Sequence, residues 1–508
     1  MASEPDCRAD GAPAGASLSA AVDRLALNRR HWLVFGVCAA GFFFDSVDLQ
    51  LLTLVAPVLV RTWALDPRQV GVLTSAAMVG MLCGACLFGA VADRVGRRPA
   101  FQLTVALFAL GSALSALAQT PSQLVALRFA VGLGVGGLVP VDTALMAEFV
   151  PARSRGRMIA LWALAFPVGG LVSTWLVSVL LPHVGWRGIL ALGVLPGLLV
   201  LMLRRLIPET PQFLLSRGRL AEAEASARWI ARGPLPSVAD PAPGAAPYVA
   251  DAPYGRGDAG GPAPAAGPRR GRVRELFSRT YRRGTAVAWV LWFCWSFAYF
   301  GITLWLPTLL VMEGVPLHTA LQYGIGFQLA AVAGRTVMML FADRLGRRRL
   351  ILINGVAAAA LVAAFGASHT MWWLVCAGYL LSFFQDGGFS GIAPLTPSLY
   401  PANLRATGVG WANAAGRVAS MLAPLLVGAL VGAHATWAVF AVFSCCFLCA
   451  SASVAVGGEL SQDGAAPAPG EHGAAGTAGA AGVAGTHGTA GSAESGPELI
   501  GKNEELSR

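Results

Sequence analysis

Several ionisable and amide side chains stand inside stretches that are otherwise apolar, and their types suit the handling of a proton or an anion. Asp45 and Asp48, about one helical turn apart, and Arg128 lie in the first half of the chain; Gln328, Arg335, Gln385, Asp386, Asn413 and Arg417 lie in the second. A carboxyl group beside a guanidinium is a proton switch, because burial favours the neutral acid, the cation favours the carboxylate, and movement changes which of them wins. Arginine also takes a carboxylate ligand through two parallel hydrogen bonds. Arg417 is therefore the candidate anion site, with Gln328, Gln385, Asp386 and Asn413 as polar neighbours and Trp295 and Tyr299 as faces for a flat ring. The static alternatives are a packing ion pair between Arg128 and an aspartate, and an Arg417–Asp386 pair among ordinary aromatic contacts.

Such charges need elements that carry them through an apolar medium. Hydrophobic residues make up 55% of the chain and charged ones 13%, and the mean hydropathy is +0.61, so lipid is the main solvent. Apolar runs that span about 30 Å as helices recur at 32–60, 70–92, 99–119, 122–146, 157–181 and 186–207, then at 285–310, 321–342, 349–368, 371–396, 404–430 and 434–456. The expected fold is an all-α integral membrane protein of twelve transmembrane helices, arranged as two six-helix bundles around a central cavity. The corresponding domains are an N-terminal tail (1–31), bundles at 32–207 and 285–456, a loop at 208–284 and a C-terminal tail (457–508). The tails and the middle of the loop are rich in Ala, Gly, Pro and Ser and have too little apolar surface to fold. On this topology Asp45 and Asp48 lie about 20 and 24 Å along the first span, and Arg128 lies about 9 Å below the far surface, at a matching depth. An ionisable group at a helix centre costs about 2.5–3.5 kcal/mol and usually faces a pathway.

The formal charge of +10 is a topology signal. Arginines cluster after the second, fourth, sixth and eighth spans, whereas the alternate loops hold chiefly Arg61, Arg68 and Arg187, which places both termini in the cytoplasm of a plasma membrane. Basic residues confined to short loops argue against a nucleic-acid partner. No apolar core with a cleavage site marks a removable signal peptide. Eight of the nine cysteines fall inside spans; Cys83-x-x-Cys86 has ligand spacing but lacks a partner set, so it reads as packing, and neither metal nor cofactor is expected. The sole lysine, Lys502, and the lack of a phosphate-binding loop argue against ATP-driven pumping, and no converging acid, base or metal set suggests an enzyme.

An internal repeat organises the chain. Asp93-Arg94-Val95-Gly96-Arg97-Arg98 recurs as Asp343-Arg344-Leu345-Gly346-Arg347-Arg348 at an offset of 250 residues, and Pro151, Ala152 and Arg155 match Pro401, Ala402 and Arg405 at the same offset. Two homologous bundles related by an axis normal to the membrane enclose the cavity of an alternating-access carrier. The loop residues read as gating groups that pair across spans when one side closes: Gly89, Asp93, Arg94, Gly96, Arg97, Arg98, Glu148 and Arg155, with Asp343, Arg344, Gly346, Arg347, Arg348 and Arg405 in the second copy. The glycines of Gly132-x-Gly134-x-Gly136-Gly137 and Phe166-Pro167-Val168-Gly169-Gly170 permit close helix approach, and Pro167 can bend the fifth span.

Gly89-x-x-x-Asp93-Arg94-x-Gly96-Arg97-Arg98 resembles the signature loop of the major facilitator superfamily, and Met339 replaces the glycine in the second copy. Pro208-Glu209-Thr210-Pro211-Gln212-Phe213-Leu214 is similar to an element of its sugar-porter-like members. Asp45-Ser46-Val47-Asp48, and Tyr400-Pro401-Ala402-Asn403-Leu404-Arg405 followed by Gly416-Arg417, resemble aromatic acid:proton symporters and niacin permeases, with Ser46 where those have glycine. The resemblance implies proton-coupled uptake of a small organic acid; the depths of Asp45, Asp48 and Arg128 make them the expected proton-coupling groups, and one chain, which contains the whole cavity, is expected to suffice as a monomer. Uptake of a sugar or other metabolite, efflux by antiport and substrate sensing without flux are the other readings.

Overall fold

The computed structural model describes residues 18, 21–195, 197, 206–233, 273–367 and 370–459. Residues 1–17, 19–20 and 460–508, which make up most of the expected tails, and the middle of the loop at 234–272 lie outside these residues. The helices are α1 (Arg29–Trp63), α2 (Pro67–Val95), α3 (Arg97–Ser115), α4 (Pro121–Phe149) and α5 (Ala152–Leu192), the short α6 (Pro211–Ser216) and α7 (Leu220–Ala231), then α8 (Arg282–Met312), α9 (Leu317–Leu345), α10 (Arg347–Gly366), α11 (Met371–Leu395), α12 (Ala402–Gly432) and α13 (Thr436–Glu459). Nine helices among the described residues are long and apolar enough to cross a membrane. The fifth span and the start of the sixth form one continuous element broken at Gly185, whose φ is 65°; residues 196 and 198–205 of the sixth span lie outside the described residues.

The helix starts follow local chemistry. Asp66 accepts from the Gln69 N–H at 2.7 Å while Gln69 accepts from the Asp66 N–H at 3.0 Å, with Pro67 at the first helical position where no donor is needed. Asn28 and His31 make the same reciprocal cap on α1. The glycine pattern of the fourth span brings backbones together: Gly132 and Gly136 lie directly against the carbonyls of Ala77 and Met81 on α2, where no Cβ fits. Cys83 and Cys86 differ from the expected packing role, because both face the outer surface of α2.

One face of the molecule carries the loops around Gly96, Val150 and Gly346 and is called here the arginine face. The two halves meet along α2 with α12 and along α5 with α9. Near the opposite face the approach is close: a Cβ on Gly428 would lie 2.5 Å from the Pro67 carbonyl, one on Gly71 would lie 2.7 Å from that of Pro424, and Gly324 packs on Thr174. Towards the arginine face the same side of α12 opens, since Asn413 is exposed and a Cβ on Gly410 would meet nothing within 4 Å. The cavity wedge therefore opens to the arginine face. Gly428→Val should push α12 off α2 and displace the carrier towards the form open on the opposite face; spin-label distances across that face should lengthen.

Candidate functional site

α1, α3 and α4 converge on a buried ion pair. Arg128 is 1% exposed, and its Nη1 donates to both oxygens of Asp48 at 3.2 and 3.3 Å. The Arg128 Nη2 donates to Ser115 Oγ at 2.7 Å, and Ser112 Oγ donates to Asp48 Oδ1 at 3.2 Å. Ser112 and Ser115, three residues apart on one face of α3, thus supply an acceptor to the cation and a donor to the anion. Removing one partner of such a pair strands the other charge, so Arg128→Ala should cost roughly 3–5 kcal/mol in stability, whereas Arg128→Met with Asp48→Leu should recover most of it. Thermal unfolding in detergent is the check.

Asp45, one turn from Asp48, is also buried, but its cationic neighbour is Arg417 of α12, on the other half of the molecule. Arg417 is only partly buried, and its Nη1 contacts the Met81 sulfur of α2 at 3.8 Å. The four charges thus run from one half to the other in the order Arg128, Asp48, Asp45, Arg417. The expectation that Arg128 could serve either aspartate is narrowed: it holds Asp48.

The second half forms a separate pair. Arg335 Nη2 donates to Asp386 Oδ1 at 2.6 Å, so the partner of Asp386 is Arg335 of α9, and the Arg417–Asp386 pairing considered from sequence is corrected. The two arginines lie on different helices, and linear sequence holds no information on which of them α11 faces. Phe389 lies beneath the Arg335 guanidinium at 5.6 Å, and the Tyr299 ring meets Phe389 edge-on at 5.0 Å, with its hydroxyl beside Asp386. Trp295 is fully enclosed, its Nε1 donating to the Gln385 carbonyl at 3.1 Å, and it packs on Gly388. Gln385 is buried, its Nε2 reaching Thr303 Oγ1 at 3.5 Å. Gln328 is partly exposed against Gly170 of α5, and Asn413 is exposed one turn from Arg417. Of the candidate substrate groups, Asn413 is exposed and Arg417 and Gln328 are partly buried, whereas Trp295, Tyr299, Gln385 and Asp386 are buried in the second bundle.

Residues 53–457 match the sugar (and other) transporter family. The chain belongs to that family, within the major facilitator superfamily. The carrier is 33% identical to the niacin transporter NiaP of Acinetobacter baylyi over 87% of its own length and 97% of the relative's. It is 29% identical to the 4-hydroxybenzoate transporter PcaK of the same organism, covering 80% and 86% of the two chains. A solved structure, the partially occluded inward open conformation of the xylose transporter XylE from E. coli, superposes with a TM-score of 0.64 at 18% identity, covering 84% of this chain and 97% of that one. The twelve-helix, two-bundle fold is that of the superfamily, and the chain is a multi-pass membrane transporter rather than an enzyme.

The carrier's loop residues are braced by parts of the chain that the sequence assigned no role. Gly96 has φ 109° and is pressed against Glu209, which accepts from the Arg98 N–H at 3.0 Å and so caps α3. Arg217 donates to the Arg94 carbonyl, tying the segment after the sixth span to the signature loop. The side chains of Asp93, Arg97 and Asp343 lie outside the described residues. Arg94 and Arg344 are exposed, and Gly346 has a φ of 78°. Gly89 has open space around it, and Glu148, Arg348 and Arg405 all make interactions. Arg347 Nη1 donates to the Pro394 carbonyl at 3.0 Å, and Arg155 pairs with Asp23 at 3.1 Å. Asp23 belongs to a stretch where Leu18, Val22 and Leu25 are buried in the same apolar cluster as Ala223, Ala227 and Ile230 of α7, a docking that the composition of the tail did not reveal.

Asp142 also escaped the sequence reading. It is buried on α4, and a Cβ at Gly41 of α1 would come within 3.0 Å of its carboxylate. The signal was present, since a lone acid within the fourth apolar run is as conspicuous as Asp45 in the first.

Proposed function

We propose that this carrier takes up a small organic acid, an aromatic or nicotinate-like carboxylate, together with one proton by alternating access. The observation that supports this most directly is the placing of Arg417 opposite Asp45 across the two halves, while Asp48 is already satisfied by Arg128 and Ser112. The relatives, a niacin transporter and a 4-hydroxybenzoate transporter, point to the same class of substrate.

Asp45 and a carboxylate ligand compete for one guanidinium. Asp45, Asp48, Arg128 and Arg417 sum to zero charge, so an arriving carboxylate leaves one excess negative charge in a medium that penalises it. A proton on Asp45 restores neutrality and frees Arg417 to grip the ligand through two hydrogen bonds. Loss of the proton returns Arg417 to Asp45 and expels the carboxylate. The arginine face is cytoplasmic on this reading, in a plasma membrane, and release occurs through the wedge by Asn413. One chain holds both sides of the cavity, so a monomer suffices. The gating residues of the two loop copies, Asp93 and Asp343 with their arginines, close that wedge in the other state.

The test is uptake of labelled nicotinate and benzoate into proteoliposomes under an inward proton gradient, with the membrane potential clamped or varied. Accumulation that follows the pH gradient and ignores the potential is the expected result. Accumulation above the external concentration that persists after the gradient is collapsed, or transport of neither compound by folded protein, overturns the reading.

A further inference from the structure

Pro167 lies within α5, and proline has no N–H to give the carbonyl four residues earlier. That carbonyl belongs to Ala163, and inside a bilayer an acceptor without a donor is costly. The donor comes from the other half of the molecule: Arg335 Nη1 of α9 reaches the Ala163 carbonyl at 2.9 Å. Asp386 holds the guanidinium from the other side at 2.6 Å, and Phe389 supports its face. Nearer the opposite face α5 and α9 touch directly, at Gly324 with Thr174 and at Gly170 with Gln328. At Ala163 it is the Arg335 side chain that reaches across from α9 to the α5 backbone.

We propose that Arg335 is a positioning residue of the transport cycle, clasping the carbonyl that Pro167 leaves open on the opposite half and so favouring the form open to the arginine face. The bond depends on the angle between the halves: closing the wedge moves α5 against α9, and the held guanidinium no longer meets the carbonyl in line. Pro167 thus does more than bend a helix. It exposes an acceptor that the partner half fills in one state of the cycle.

The experiment uses the full chain in membrane vesicles with the arginine face outward and a reporter, Gly410→Cys, on the open side of α12, labelled by an impermeant maleimide; the increment over the chain without the reporter is read. Arg335→Met with Asp386→Leu removes the clasp without stranding a charge, and should slow labelling roughly five-fold or more, as expected for loss of a hydrogen bond from a charged donor. Pro167→Ala gives the Ala163 carbonyl its own helical donor and should slow labelling in the same direction, and adding it to the double variant should change nothing further. Unchanged labelling in the double variant, or effects of the two changes that add, overturns the proposal. If the double variant does not reach the membrane, Pro167→Ala alone decides: unchanged labelling there overturns it equally. Because no substrate is added, this outcome is independent of whether the carrier moves organic acids.

Discussion

Asp45→Asn should abolish gradient-driven accumulation while leaving exchange of labelled for unlabelled substrate intact. One coupled proton sustains about a ten-fold concentration ratio per pH unit, and without it the ratio should fall to about one. The choice of Asp45 over Asp48 follows from their partners. Asp48 accepts from Arg128 and Ser112 within its own half, so its partners move with it whatever the other half does. Asp45 shares the same helix but depends on Arg417, which moves with the opposite bundle. Depth along α1 alone favours Asp48; the side chains that face the two carboxylates reverse that order. The asparagine keeps the size and mimics the protonated acid, so the substrate site stays neutral when occupied and exchange needs no proton. Paired counterflow and net-uptake measurements on the same vesicles check this. Net accumulation that survives the substitution would return the proton to Asp48 or to Asp142.

Arg417→Ala should raise the dissociation constant for a carboxylate substrate by roughly thirty- to a thousand-fold, corresponding to about 2–4 kcal/mol for truncating one side of a buried charge pair. The same change removes the guanidinium for which Asp45 and the ligand compete. Binding should therefore become both weak and insensitive to pH. Arg417→Lys should recover part of the affinity, since a point charge replaces a two-donor fork. Equilibrium binding to purified protein across a pH series distinguishes this from loss of fold. Undiminished affinity in the alanine variant would place the anion elsewhere, with Arg335 the next guanidinium to test.

The sequence by itself determined the class of the molecule. Apolar runs of bilayer length leave no soluble alternative, the repeat at 250 residues requires two similar bundles, and the arginine-rich loops recur after alternate spans. These are one-dimensional signals, because length, composition and spacing act through local helix formation and through the cost of charge in lipid. Buried charges were legible for the same reason: Asp45, Asp48, Arg128, Asp386 and Arg417 stand out wherever neighbours are apolar.

What linear order does not hold is which charge meets which. Arg335 and Arg417 are equal candidates for Asp386 until α9, rather than α12, is seen beside it. Trp295 and Tyr299 have the chemistry of a ring-binding face, yet helix rotation turns both into the second bundle. The serines that complete the Asp48–Arg128 pair are unremarkable residues of the third span until helix packing brings them to it. Pro167 announces a missing donor in the sequence, but only the packing of α5 against α9 supplies Arg335 to replace it. A lone charge is visible from its own neighbours, whereas a pair depends on the rotation and tilt of two helices distant in sequence, and packing between bundles sets those.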